Sequence, residues 1–133
     1  MIYMLDTNIC IYAINNKPLS YLHRLETLEQ THTLSISSIV LAELQYGVSN
    51  SNYSKQNQIN LDNFLSKLSI IEFSAKCAFY YGELGAKLKK AGIIIGNNDL
   101  FIASHALAEN AILVTNNINE FKRIPELTVE SWE

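Results

Sequence analysis

Short apolar runs alternate with longer amphipathic stretches along the whole chain. Ile2-Tyr3-Met4-Leu5 is a run of strand length that ends at Asp6, so residues 2–6 read as a first strand. Residues 8–15 read as a short helix, broken at Lys17-Pro18 because proline removes a donor and restricts the residue before it. A second helix is predicted over 19–30, with Leu22, Leu25 and Leu28 at three-residue spacing. Thr33-Leu34-Ser35-Ile36-Ser37 alternates polar with apolar, which predicts a second strand, and Ser37 or Ser38 can cap a helix over 39–48. Ser49-Asn50-Ser51-Asn52-Tyr53-Ser54 is the most loop-like stretch. A helix over 55–67 then leads to a third strand at 70–73. The longest helix is expected over 75–91, with Ala78, Tyr81, Leu84 and Leu88 on one face. Lys87, Lys89, Lys90 and Gly92 suit its negative end and its stop. An apolar link at 93–96, a helix over 98–109, a fourth strand at 111–114, a turn or helix near 117–123 and a last strand near 127–131 complete the chain.

Strands that alternate with helices predict an α/β fold: a three-layer α/β/α arrangement with a mainly parallel sheet of four to five strands. The apolar, β-branched strands suit burial on both faces. The 133 residues are expected to form a single domain over 1–133, because neither side of the 49–54 loop could build its own core.

Composition narrows the function. At 48% apolar and 17% charged residues the chain is not disordered. Its net charge of −3 excludes a generically basic nucleic-acid binder, so a nucleic-acid substrate requires a metal and local basic patches. There is no basic n-region or small-residue cleavage site, and no apolar segment nears the roughly 18 residues of a membrane span. A cytoplasmic protein with no membrane contact is expected. Cys10 and Cys77 fall in apolar helical patterns and read as buried free thiols. Neither has a second cysteine or a histidine at ligand spacing, so no structural zinc site is expected.

Of the 13 acids only Asp6, Asp62 and Asp99 are aspartates. Asp6 stands at the tip of the first strand, the edge where open parallel sheets bind ligands, and it also suits the N-cap of the next helix. Glu43 has Ile39, Val40, Tyr46 and Gly47 as its helical neighbours, none of which can form an ion pair, and it lies beyond capping-box reach of Ser37 and Ser38. It is either a solvated surface glutamate or an inward carboxylate that needs compensation. Asp99 suits the first turn of its helix through the macrodipole, yet it sits among apolar neighbours such as Ile102 and Ala103. Three such carboxylates without a balancing Lys or Arg point to a divalent cation. The other acids read as ordinary: Glu26 and Glu29 near Arg24, Asp62, Glu72, Glu83 and Glu109 on solvated faces, and Glu126, Glu130 and Glu133 as an acidic tail. His105 reads as a helix residue beside the core. No nucleophile elbow, phosphate loop or catalytic triad can be read from spacing.

Four motifs in order resemble the PIN-domain family, and within it the VapC toxins of type II toxin–antitoxin pairs. They are Met4-Leu5-Asp6-Thr7-Asn8; Ser37-Ser38-Ile39-Val40-Leu41-Ala42-Glu43-Leu44-Gln45-Tyr46-Gly47; Asn98-Asp99-Leu100-Phe101-Ile102-Ala103-Ser104-His105-Ala106-Leu107; and Leu113-Val114-Thr115-Asn116-Asn117, with Glu120-Phe121 and Arg123-Ile124-Pro125 beyond. The resemblance implies a Mg²⁺- or Mn²⁺-dependent endoribonuclease whose metal-binding, catalytic acids are Asp6, Glu43 and Asp99. The fourth acidic position of many PIN domains matches Asn117 here. Thr7, Asn8 and Thr115 match polar positions that orient the acids, and Glu120 is expected to assist through water. Lys87, Lys89, Lys90, Lys122 and Arg123 are candidates to grip an RNA backbone. The family's substrates are structured RNAs, and the most similar-looking members cut initiator tRNA in the anticodon stem-loop, leaving 5′-phosphate and 3′-hydroxyl ends. The resemblance further implies a homodimer and a cognate VapB-like antitoxin that forms a hetero-oligomer with it. That antitoxin would lay an apolar segment in a groove between helices and push a basic side chain toward the acids.

Independently of the resemblance, an oxygen-only ligand set selects a hard cation. Other readings stay open on the residues alone. A haloacid-dehalogenase-like phosphatase would use a strand-end aspartate as nucleophile, although its second aspartate position holds Asn8. A catalytically silent receiver or interaction module is the third.

Overall fold

The computed structural model describes residues 1–133. Five strands, β1 (Ile2–Leu5), β2 (Thr33–Ser37), β3 (Ser69–Ile71), β4 (Ile112–Val114) and β5 (Val129–Glu130), form one sheet in the order β3-β2-β1-β4-β5. Every neighbouring pair is parallel, so the expectation of a mainly parallel sheet of four to five strands is met by five, all parallel. Between the strands run α1 (Thr7–Ile14), α2 (Leu19–Leu28), α3 (Ser38–Ser49), α4 (Ser54–Leu65), α5 (Ala75–Lys90), α6 (Asn97–Ala108) and α7 (Ile118–Phe121). No helix is long and apolar enough to cross a membrane.

The sheet is built outward from β1. Met4 and Leu5 are fully buried, as are Ile36 of β2 and Leu113 and Val114 of β4, so the middle three strands form the centre of a 26-residue core. Chain order runs from β1 to β3 on one side and then returns to β4 and β5 on the other. The reversal falls between β1 and β4, and parallel sheets open a ligand crevice at such a point, beyond the carboxyl ends of the strands. Here those ends are Asp6 and Thr115, joined by the bond that Asp6 N donates to Val114 O at 3.0 Å.

Caps set the helix starts. Asp6 Oδ1 accepts the Ile9 N–H at 3.0 Å and Ser37 Oγ accepts the Ile39 N–H at 3.0 Å, each such cap contributing about 1 kcal/mol. Ser38 Oγ instead accepts the Phe73 N–H and anchors the exit of β3.

Four expectations are corrected. On α5 Leu84 and Leu88 face inward as expected with Tyr81 half-buried, but in the first turn Cys77 is buried in place of Ala78, which is exposed. On α2 Tyr21 and Leu25 are buried, and Leu22 is only half-buried. The acidic tail is no free tail: Glu126 pairs with Lys87, and Glu130 lies in β5 and accepts the Trp132 Nε1–H at 2.9 Å. Glu109 is half-buried rather than on a solvated face, and it caps α6 beside His105, which is inside the core rather than next to it.

Candidate functional site

Asp6, Glu43 and Asp99 come from three different elements, and the fold turns them toward the same end of the sheet. Asp6 follows β1 and caps α1. It is 8% exposed, and burial raises its carboxyl above the usual carboxylate range, opposed by the Thr115 hydroxyl and by the Ile9 and Asn8 N–H groups. Glu43 lies in the second turn of α3, half-buried, and its Oε1 is shielded from water with no hydrogen-bond partner. Asp99 lies in the first turn of α6, half-buried.

Asp99 reports the convergence. Its carboxyl is pushed up to about 7, first by burial, then by a hydrogen bond to and the charge of Glu120, then by the charges of Asp6 and Glu43. Every charge that acts on it is negative. Like charges gathered this way favour a shared proton or a bound cation over free ionisation.

Glu120 is therefore closer to the centre than the sequence implied. It was expected to assist through water, and its carboxyl lies near enough to that of Asp99 to raise it. It is held there on two sides: the Asn117 amide donates to Oε2 at 2.6 Å, and the Gly96 N–H points to Oε1 at 3.4 Å. Asn117 is itself located by its backbone N–H, which donates to Thr115 Oγ1 at 3.0 Å. Hydrogen bonds thus link Thr115, Asn117 and Glu120, with Asp6 beside Thr115 at one end and Asp99 beside Glu120 at the other. Thr115 is fully buried at the tip of β4, so this linkage stands on the sheet. The sequence signal for Glu120 was its place three residues past Asn117, one turn along α7.

The other expected residues divide. The Thr7 hydroxyl is buried and has no partner, and it faces the same cleft as Glu43. Asn8 is exposed and meets Asp6 only through its backbone N–H. Lys89, Lys90 and Lys122 are exposed. Lys87 pairs with Glu126, and Arg123 donates to Glu120 O at 3.1 Å and Ile94 O at 2.8 Å, tying α7 to the link before α6.

Two hollows adjoin the acids. A cleft of about 500 Å³ is lined by Thr7, Glu43, Asn98, Phe101 and Tyr46, the last an aromatic ring 71% exposed. Sequence reasoning did not single out Tyr46, which only the cleft marks. A narrower groove of about 260 Å³ runs between α1, α3 and α4, with Ile11, Ile14, Leu44, Val48 and Leu61 as its apolar lining and Glu43 among its polar residues.

The donor set fits a hard divalent cation. It offers carboxylate oxygens and hydroxyls, no sulfur or imidazole, no neutralising cation, and one buried carboxylate oxygen without a partner. An oxygen left so costs about 1–3 kcal/mol until something binds it.

Comparison with known proteins agrees with this geometry. The family model described as PIN domain matches residues 3–127. The chain is 68% identical over 133 residues to ribonuclease VapC2 of Rickettsia felis, covering 100% of this chain and 99% of that one. It is 38% identical over 130 residues to the tRNA(fMet)-specific endonuclease VapC of Salmonella typhimurium, covering 98% and 97%. Among solved structures, that of VapBC2 from Rickettsia felis bound to a DNA fragment from their promoter superposes with a TM-score of 0.96, at 68% identity and full coverage of both chains. DNA-bound VapBC from Salmonella typhimurium superposes with a TM-score of 0.93 at 36% identity, covering 100% and 99%.

Proposed function

The chain belongs to the PIN-domain family, and on that footing we propose that it is a Mg²⁺-dependent endoribonuclease of the VapC type, a toxin restrained by a cognate antitoxin. The observation that carries the reading is Asp99, held near 7 by burial and by three neighbouring carboxyl groups. Asp6, Glu43 and Asp99 would hold the ion, and Glu120 would complete the set from the position where Asn117 fixes it. A bound divalent cation lowers the proton affinity of a water and offsets charge on the phosphate under attack. The chain's own groups supply the rest. The Thr115 hydroxyl and two backbone N–H groups keep Asp6 aligned. Glu120, beside Asp99, would accept a proton from an attacking water and return it to the leaving oxygen. No protein nucleophile is needed.

The substrate reading follows from charge and shape. The chain is acidic overall, so RNA would be held locally, by Lys89, Lys90 and Lys122 on its backbone and by Tyr46 as a stacking surface for an unpaired base. A single-stranded loop of a structured RNA fits a narrow cleft better than a duplex does. The endonuclease name of the Salmonella relative, specific for tRNA(fMet), supports a tRNA and among tRNAs the initiator.

The groove between α1, α3 and α4 is where the antitoxin is proposed to lie, its apolar face on Ile11, Ile14, Leu44 and Val48, with a basic side chain reaching Glu43. The VapBC complexes among the structural relatives support such a hetero-oligomer, and a homodimer of the toxin is part of the same proposal. The test incubates purified protein with total tRNA in Mg²⁺ or in EDTA and sequences the cut ends. Cuts confined to the Mg²⁺ sample, with 5′-phosphate ends in an anticodon loop, are expected. Cleavage that survives EDTA contradicts the proposal.

A further inference from the structure

A second cluster of ligand-type side chains lies at the opposite end of α6 from Asp99. Cys77 in the first turn of α5, His105 in the last turn of α6 and Glu109 at its C-cap place their sulfur, nitrogen and oxygen atoms within 4.8 Å of one another. Cys77 and His105 are fully buried and Glu109 is half-buried. Cys77 is separated from both partners by the whole length of α5 and most of α6, so no ligand-spacing rule could find the three in the sequence.

The imidazole carries the argument. Its Nδ1 is engaged with Ser37 Oγ at 2.7 Å, while its Nε2 is shielded from water and has no hydrogen-bond partner, with Glu109 Oε1 4.0 Å away. Ser37 Oγ also accepts the Ile39 N–H, and a hydroxyl has a second lone pair for an Nδ1–H. In the tautomer that donates Nδ1–H to Ser37 Oγ, Nε2 presents a bare lone pair beside the Glu109 carboxylate. Metal-bound histidines have this arrangement, one nitrogen tied to an acceptor and the other on the ion. The ring is packed edge-on against Phe73, with centroids 5.5 Å apart, and of the three residues only Glu109 is partly exposed.

We propose that Cys77, His105 and Glu109 form a binding site for a zinc-class divalent cation, separate from the carboxylate centre, that clamps the start of α5 to the end of α6. The donor set of one sulfur, one nitrogen and one oxygen selects a borderline-soft ion such as Zn²⁺, where the all-oxygen set around Asp99 selects Mg²⁺ or Mn²⁺. Tetrahedral coordination brings ligand atoms to roughly 3.5 Å of one another, so separations of up to 4.8 Å have to contract, by at most about 1.3 Å, within rotamer adjustment. On binding, the Cys77 thiol gives up its proton to solvent and the thiolate becomes a ligand. Water entering past Glu109 takes the fourth position. A thiol this deeply buried cannot reach an RNA, so the cluster is no second nucleophilic site. Because α6 carries Asp99 in its first turn, the clamp would fix the helix that positions the carboxylate centre.

The test titrates metal-free protein with Co²⁺ and follows the thiolate-to-cobalt charge-transfer absorption in the near ultraviolet, then adds Zn²⁺. One equivalent of Co²⁺ should produce the band in the wild type and equally in Asp99→Asn, whose carboxylate centre is impaired. Zn²⁺ should displace it. The band should vanish in Cys77→Ala. Glu109→Gln alters only a half-buried position, so its fold is secure, and it should bind Co²⁺ about tenfold more weakly or worse. Zn²⁺ should raise the Tm of the wild type by more than that of Glu109→Gln. No band in the wild type, a band that survives Cys77→Ala, or a Glu109→Gln protein that binds as tightly as the wild type would overturn the proposal.

Discussion

The side-chain amide of Asn117 donates to Glu120 Oε2 at 2.6 Å. By the resemblance, this neutral residue matches the place where many PIN domains carry an acid, and it holds a carboxylate from one helical turn further on. The charge that the position lacks is thereby restored by its neighbour. The consequence is measurable. Asn117→Ala frees Glu120 from its main tether and should lower divalent-ion affinity or cleavage rate by about 10–100-fold, the range for partners that orient ligands. Kinetics with a synthetic anticodon stem-loop over a Mg²⁺ series checks it. Glu120→Gln should lose at least as much, since it removes the carboxylate itself. An Asn117→Ala enzyme of wild-type activity would show that the tether contributes nothing to the metal centre.

The acids should strain the metal-free protein. Asp99 has a folded value of about 7 against an ordinary 3.8. A raised carboxyl contributes to stability fully below 3.8, and the contribution is lost as pH rises through about 7. Above that pH the folded state holds the repelled charge. Asp99→Asn in EDTA should therefore be more stable than the wild type at pH 8 and gain little at pH 4. Urea denaturation at the two values gives the comparison. Mg²⁺ should narrow the gap at pH 8, by stabilising the wild type more than the variant.

Binding of the antitoxin can be separated from catalysis. Ile11 lies in the groove between α1, α3 and α4 and is 40% exposed, so Ile11→Asp leaves the core intact while placing a charge where the antitoxin's apolar segment is proposed to dock. Affinity for the cognate antitoxin should fall at least about 100-fold, since an unpaired charge would be buried at the interface. Cleavage by the isolated toxin should stay within about twofold of wild type. Titration calorimetry beside the RNA assay distinguishes this from general unfolding.

Much of the architecture was legible because each element has its own period. The four-residue apolar run before Asp6, the alternation at Thr33–Ser37 and the helical stretches between them required a parallel sheet, and the tip of β1 followed. What depended on long-range packing was not legible. The inward face of α5 is set by its contact with α6, so Cys77 rather than Ala78 is buried. The meeting of Glu120 with Asp99 depends on the turn after β4 and on Arg123, whose guanidinium bonds Ile94 O across the chain at 2.8 Å. Glu109 and Cys77 looked unrelated for the same reason: α5 and α6 come together only in three dimensions. The acids at 6, 43 and 99 could be singled out because each lacked a local partner. Their convergence could be inferred from the sequence only through resemblance.

The most direct measurement is the binding of Mn²⁺, followed by its electron paramagnetic resonance signal, to the wild type and to Asp6→Asn. Asparagine keeps the cap on Ile9 and removes only the charge, so a change in binding reports the carboxylate and not the helix. Tight binding by the wild type, weakened about tenfold or more in Asp6→Asn and likewise in Glu43→Gln and Asp99→Asn, is the predicted result. Equal affinity across all four proteins would contradict a cation centre built by these side chains.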